Sequence, residues 1–172
     1  MINIRPEREE DFATIHELNL LAFRGEDEAK LIRRIRQSAG FIPELSLVAE
    51  RDGRVVGHLL FSPIIIETKK GSVPALALAP MAVWPEFQNQ GIGSELVRQG
   101  LQECKRKGHR IVVVVGHPAY YPRFGFSQAR RKGLEAPFPV PDEAFMVLEL
   151  IPGALRGVKG DVKYPRVFDD VG

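Results

Sequence analysis

The segment Gln88 to Ser94 carries the clearest chemical pattern in this chain. It reads Q-N-Q-G-I-G-S and lies between an apolar run and a helix-like pattern. Gly91 and Gly93 allow the backbone to turn sharply and to approach a ligand closely. The amides of a first helical turn, together with the helix dipole, attract negative charge. The segment therefore predicts a binding site for a phosphate group.

Two common phosphate-binding patterns do not fit this segment. The dinucleotide fingerprint has a third glycine three residues after the second, where this chain has Leu96. No Gly-Lys-Ser/Thr follows, so a nucleoside-triphosphate loop would lack its lysine and its magnesium-binding hydroxyl. These absences disfavour a nucleotide-binding protein. An ordinary glycine-containing turn between a strand and a helix stays as the alternative.

Composition limits the classes of protein that the chain resembles. Its 172 residues are 44% hydrophobic, which predicts a single domain over residues 1–172. Charged residues make up 27% and the net charge is +2, so we expect no nucleic-acid partner. No apolar run approaches the roughly 20 residues that span a bilayer, so we expect no membrane partner. The single cysteine, Cys104, excludes an internal disulfide and favours the reducing cytoplasm.

Hydropathy patterns predict the elements that would position the glycine segment. Helical spacing is found at residues 9–23, 27–37 and from Ile92 towards Gly108. An Arg-Asp-Gly turn at 51–53 predicts a hairpin. The predicted strands are residues 2–5, 46–50, 55–61, 64–67, 75–83, 111–115 and two closing strands within 144–150 and 158–164.

The strand at 75–83, the following helix and the strand at 111–115 predict a parallel βαβ unit. The glycine segment then lies at the carboxyl end of the first strand, where open α/β sheets bind ligands. Pro80 cannot donate a ladder hydrogen bond, so it predicts a bulge that frees neighbouring backbone groups. The expected fold class is α/β, with a mixed and mostly antiparallel sheet flanked by helices.

The motifs together resemble the Gcn5-related N-acetyltransferase (GNAT) superfamily. Q-x-x-G-x-G begins at Gln88, and an amphipathic helix, a valine strand and Y-x-x-x-G-F from Tyr121 follow it. The resemblance covers roughly Ala75 to Phe126, and the flanking elements are compatible with the whole family fold. The amino-acid sequences at 57–63 and 117–126 resemble those of the YhbS-like branch of bacterial acetyltransferases.

The resemblance implies acetyl-CoA as the cosubstrate, no metal, and direct transfer of an acetyl group to an amine in a ternary complex. It also implies a sheet that is splayed at the cofactor site. The amides of the glycine segment would hold the pyrophosphate, and the end of the preceding strand would pair with pantetheine. The implied cofactor-binding residues are Met81, Ala82, Val83, Gln88, Asn89, Gln90, Gly91, Ile92, Gly93, Ser94 and Phe124.

Two residues are the candidates for catalysis. The resemblance implies that Tyr121 protonates the departing CoA thiolate, with packing in the cofactor groove as the alternative. His58 is the candidate base for the amine, because a histidine pKa near 6.5 suits proton transfer. The alternative for His58 is a hydrogen-bonded histidine of the core or surface.

Other functions stay open at this point. One is a domain that binds CoA without catalysis, as a sensor or interaction module, and another is an enzyme that uses a longer acyl-CoA. The acceptor is an amine of a small molecule or peptide that no motif identifies. Members of the GNAT superfamily often dimerise, so the resemblance also implies a possible homodimer.

Overall fold

The structure is a computed structural model and describes residues 1–169. Its helices are α1 (Phe12–Phe23), α2 (Asp27–Gln37) and α3 (Ile92–Arg106). Its strands are β1 (Ile2–Pro6), β2 (Ser46–Arg51), β3 (Arg54–Thr68), β4 (Gly71–Val83), β5 (Ile111–Val115), β6 (Ser127–Gln128), β7 (Leu134–Glu135), β8 (Phe145–Glu149) and β9 (Gly160–Lys163). Among the short 3₁₀ helices, those at Pro85–Phe87 and Tyr121–Phe124 border the predicted site.

The chain divides into two units, and the divisions fall inside β3, β4 and α3. The first unit contains residues 1–62 and 79–103 and the described end of the chain from Arg166. The second contains residues 63–78 and 104–165. The single domain over residues 1–172 stays a prediction.

In the first unit, two helices cover an antiparallel arrangement of strands. β1 pairs with β2 and β2 pairs with β3, both antiparallel, and β4 borders β3. The apolar residues of α2 recur at helical spacing and form a buried face, which packs with α1 and the sheet because burial removes apolar surface from water. The shared core contains Ile15, Leu18, Leu31, Ile32, Ile35, Val48, Val55, Leu60 and Ala82.

In the second unit, β5 lies between a parallel and an antiparallel neighbour. β4 pairs with it in parallel at Leu76 and Ala77, and β8 pairs with it in antiparallel register along its whole length. β6 pairs with β8, while β9 pairs with β3 and with β7. Residues 111–114 are buried, as expected for a strand without polar alternation.

The observed elements confirm the predicted fold class, with the β4-α3-β5 unit parallel as expected. α2 has the predicted bounds. β3 runs without interruption through Pro63 and so joins the two strands predicted at 55–61 and 64–67, because a proline removes one donor but keeps an extended backbone accessible. The sequence did not predict the parallel pairing of β7 with β9, since β7 has only two residues and leaves no readable hydropathy pattern. None of the helices in residues 1–169 has both the length and the apolar composition that crossing a membrane needs.

Candidate functional site

The turn that leads into α3, residues Gln88 to Gly91, has an exposed backbone with two left-handed positions. φ is 63° at Asn89 and 84° at Gly91. These values suit a short polar residue and a glycine, since a larger side chain is strained there. Space around Gly91 is open, because a Cβ added there would meet no atom within 4 Å. The turn therefore presents backbone to any ligand that approaches it. We call it the donor turn.

The side chains of the donor turn hold it to the rest of the first unit. Gln88 Nε2 donates a hydrogen bond of 3.1 Å to the carbonyl of Val83, at the end of β4. Gln90 Oε1 accepts a bond of 2.8 Å from Arg51. The Gln88 contact ties the turn to the end of β4, and binding of the cofactor by Gln88 stays a prediction. The side chains of Gln88 and Gln90 thus bind other parts of the protein, and a ligand would contact mainly the backbone of the turn.

Two arginines of the β2–β3 hairpin contact the segment between β4 and the donor turn. The sequence analysis did not predict these contacts. The Arg54 guanidinium lies 4.9 Å from the ring centre of Trp84 and 5.5 Å from that of Phe87. It also forms an ion pair of 3.0 Å with Glu86. Arg51 lies 5.8 Å from the centre of the Phe87 ring. Such stacking restrains the segment between β4 and the donor turn. Because the partners are some 30 residues apart in sequence, no local spacing pointed to it.

The remaining predicted cofactor residues of this unit flank the turn on both sides. Met81 and Val83 are half-buried near the end of β4 and Ala82 is buried. The parallel ladder of β4 with β5 covers only Leu76 and Ala77 in the described register. Pairing of residues 81–83 with a ligand stays a prediction, as does the bulge at Pro80.

The first turn of α3 follows the donor turn directly. Ile92 is buried and anchors the helix start, while Gly93 and Ser94 are half-buried. The Glu95 amide donates to the Gly91 carbonyl at 3.1 Å, so the helical hydrogen bonds begin at the turn itself. The dipole of an α-helix places partial positive charge at its first turn. This arrangement suits a phosphate group.

Tyr121 lies in the second unit, just after β5, and its side chain is largely buried. Gly116 makes room for it, since a Cβ at that position would lie 2.5 Å from the tyrosine ring. The rings of Tyr120 and Phe126 pack edge-on against it, with centres 5.1 and 5.8 Å away. Burial raises the pKa of Tyr121 to about 12. Its hydroxyl is therefore protonated at neutral pH, as a proton donor must be.

Phe124, the other predicted residue of the second unit, is half-buried beside these rings. Its ring centre lies 5.3 Å from that of Tyr120 and 6.4 Å from that of Tyr121. The short 3₁₀ helix at Tyr121–Phe124 places both side chains in one aromatic group. Contact of Phe124 with pantetheine stays a prediction.

His58, the candidate base, is completely buried on β3. Its Nε2 lies 2.9 Å from Ser46 Oγ and 3.4 Å from Glu7 Oε1, and its Nδ1 has no hydrogen-bond partner within residues 1–169. Burial lowers the pKa of His58 more than Glu7 raises it, so the ring is neutral at pH 7. These contacts support a structural role, and the assignment of His58 as the base stays a prediction.

Glu7 joins His58 to α2 through a second buried contact. Its side chain is 4% exposed and accepts two hydrogen bonds from Arg36, of 2.8 and 2.9 Å. Burial alone would raise the pKa of Glu7, but hydrogen bonds from Arg36 and His58 outweigh it and lower the pKa to about 2. Arg36 also stacks on Phe12, 3.8 Å from the ring centre. We call Glu7, Arg36, His58 and Ser46 the Glu7 cluster. Sequence spacing gave no indication of it.

Comparison with known proteins identifies the family to which this mixed α/β fold belongs. Residues 3–129 match the model of the acetyltransferase (GNAT) domain family. The chain belongs to this family. The predicted family, fold class and acetyltransferase class are thereby confirmed.

Relatives in Escherichia coli match most of the chain. The N-acetyltransferase YhbS is 36% identical over 167 residues, which are 96% of this chain and 98% of YhbS. The N-acetyltransferase YjhQ of strain K12 is 39% identical over 134 residues, which are 77% of this chain and 74% of YjhQ.

Solved structures of relatives contain the predicted donor or its product. YhbS from E. coli in complex with CoA superimposes with a TM-score of 0.91 and 35% identity, covering 99% of this chain and 93% of YhbS. A GNAT family acetyltransferase from Brucella melitensis in complex with acetyl-CoA has a TM-score of 0.78 and 33% identity, covering 98% of this chain and 99% of its own.

Proposed function

We propose that this protein transfers an acetyl group from acetyl-CoA to the amine of a small molecule or peptide. The observation that carries the proposal is the donor turn, whose left-handed Asn89 and Gly91 lead directly into the first turn of α3. Family membership and the CoA and acetyl-CoA complexes of two relatives support this choice of donor. The proposal includes no metal.

In this proposal the backbone binds the donor. The amides from Gln88 to Ser94 would hold the pyrophosphate, helped by the positive end of the α3 dipole. Residues 81–83 would pair with the pantetheine arm as an added strand. Gln88 would contribute indirectly, because its hydrogen bond to Val83 ties the turn to the end of this strand.

The chemistry we propose is direct attack of a neutral amine on the thioester carbonyl carbon. The Val83 amide would donate to the oxygen on which negative charge develops, a contact worth about 3 kcal/mol in comparable enzymes. The carbon–sulfur bond then breaks. Tyr121 would give its proton to the leaving sulfur, since its raised pKa keeps the hydroxyl protonated.

The amine must lose a proton before or during attack. His58 is the predicted base, and a neutral ring fits that role. Its burial and its contacts with Ser46 and Glu7 fit a structural role better, because a base needs hydrogen-bond access to the proton that it removes. Measurement of the pH profile, described in the Discussion, separates the two roles.

The experiment that tests this function measures free thiol released from acetyl-CoA in the presence of a panel of amines and peptides. Amine-dependent thiol release, with the acetylated amine identified by mass spectrometry, supports acetyl transfer. Binding of CoA without release for any acceptor supports the alternative of a CoA sensor. Faster release from a longer acyl-CoA supports the alternative donor.

The cell compartment and assembly follow as smaller parts of the proposal. A cytoplasmic location fits a sequence whose only cysteine, Cys104, excludes internal disulfides. A homodimer is the expected assembly from the family resemblance. Size-exclusion chromatography with light scattering measures the assembly directly, and a monomeric mass would contradict that expectation.

A further inference from the structure

A cavity of about 570 Å³ opens in the first unit between the first half of α1 and α2. This volume lies in the range of small-molecule sites. Its lining residues fall between Phe12 and Phe41, so none belongs to the donor turn or β4. The cavity is therefore separate from every residue to which the proposed function assigns a role in binding the donor.

The walls of the cavity are mainly apolar. Six of the ten lining residues are apolar: Phe12, Ala13, Ile15, Ala29, Ile32 and Phe41. Phe12 is held in place by the Arg36 guanidinium stacked on its ring, and Arg36 is itself fixed by its two hydrogen bonds to Glu7. A pre-formed apolar wall of this kind suits a ligand with an apolar body, because little ordering is needed on binding.

The polar part of the lining is basic. Arg33, Arg36, His16 and the neutral Gln37 line the cavity, and no aspartate or glutamate among residues 1–169 does. Glu7 already balances the charge of Arg36. Arg33 is exposed and forms no hydrogen bond or ion pair within residues 1–169. The cavity therefore combines an apolar wall with a guanidinium that has no acceptor in the described chain.

From this combination we propose that the cavity binds a small carboxylic acid with an apolar body, which Arg33 recognises through the carboxylate. Guanidinium and carboxylate match in geometry and form two parallel hydrogen bonds. The apolar body would lie along Phe12 and Phe41. An amine of the same shape would be repelled, since the charged groups of the lining are cationic.

Titration calorimetry with 4-phenylbutyrate tests the proposal, with 4-phenylbutan-1-ol and 4-phenylbutylamine as matched compounds. We expect the acid to bind at least about tenfold more tightly than the alcohol, because one hydrogen bond between charged groups changes the affinity by about this factor. We expect its affinity to fall with ionic strength, because Arg33 is exposed. Absence of acid binding, or equal binding of acid and alcohol, would overturn the proposal.

Two variants locate the site. Arg33→Gln should reduce acid binding about tenfold and leave the alcohol unaffected, whereas Arg24→Gln, at an exposed arginine outside the lining, should change neither. Ala13→Trp adds volume at an exposed lining residue and should abolish binding of both compounds without disturbing the core. Methyl NMR signals of Ile15 and Ile32 should shift when the acid is added. Acid binding that survives both Arg33→Gln and Ala13→Trp would place the ligand elsewhere and contradict the proposal.

Discussion

The donor turn and the Glu7 cluster both contain polar residues of the first unit, but they use them in opposite ways. The donor turn is exposed, and its side chains Gln88 and Gln90 form hydrogen bonds within the protein. The Glu7 cluster buries charged side chains and pairs them with one another. A ligand needs accessible groups, whereas a buried charge needs a partner within the fold. The contrast separates residues suited to binding from residues that hold the fold.

This contrast predicts that Glu7→Gln has the largest effect on stability. The substitution removes the carboxylate from a buried arginine, which typically costs about 3 to 5 kcal/mol. Urea denaturation at pH 7 measures the loss, with Glu9→Gln at an exposed position as the control. A loss below about 1 kcal/mol would show that the Glu7 cluster contributes little.

Acid should remove the same contribution from the unsubstituted protein. The pKa of Glu7 is lower in the folded state, about 2, than its ordinary value of 4.5. Its stabilisation, about 3 kcal/mol from this difference, is thus present above pH 4.5 and is lost as pH falls towards 2. The lowered pKa of His58 adds a loss that begins below pH 6.5, where the unfolded chain takes up the proton. The Glu7→Gln variant has no such carboxyl, so its stability should fall less between pH 4.5 and 2 than that of the unsubstituted protein.

Gly91→Glu should have the next largest effect, on binding rather than on folding. CoA at about 100 times its dissociation constant stabilises a protein by about 2.7 kcal/mol. The added carboxylate would repel the pyrophosphate and strain a backbone with φ of 84°, so this stabilisation should disappear. Gly53→Glu is the matched control, because Gly53 also has positive φ and open space but lies in the β2–β3 turn. Equal CoA-dependent shifts in both variants would remove the donor turn from the site.

Tyr121→Phe should have a smaller effect, on turnover alone. The substitution keeps the ring that packs on Phe126 and removes the hydroxyl. We expect kcat to fall about tenfold, less than the roughly hundredfold or more that is typical of acid catalysis, since a thiol with a pKa near 8.5 leaves with little help. Tyr120→Phe removes the neighbouring hydroxyl as a control. If the two variants turn over equally fast, Tyr121 is a packing residue.

The smallest expected effect concerns His58 and the pH profile. If His58 belongs only to the Glu7 cluster, His58→Gln lowers stability but keeps the shape of kcat/KM against pH. If His58 is the base, the ionisation on the acidic side of that profile disappears and the rate falls about a hundredfold. Steady-state rates between pH 5.5 and 9, measured where the variant is folded, distinguish the outcomes.

The sequence by itself determined the local elements and the family. The repeat of apolar residues fixed α2, because helical spacing is a property of neighbours along the chain. Glycine at residue 91 indicated a turn with positive φ, because few other residues tolerate that backbone. The motif at Tyr121 and the valine strand before it completed the resemblance, and the order of these elements followed from short-range patterns.

Only the tertiary structure decided which distant residues meet. Glu7 contacts Arg36 and His58 because β1, α2 and β3 bring them together, and Arg51 reaches Gln90 in the same way. None of these three pairs has a spacing that a local pattern could reveal. Burial also favours the structural alternative for His58 over the predicted base, and that burial depends on the strands and helices packed around the side chain. Hydropathy patterns describe neighbours along the chain, whereas pKa values and partners depend on neighbours in space.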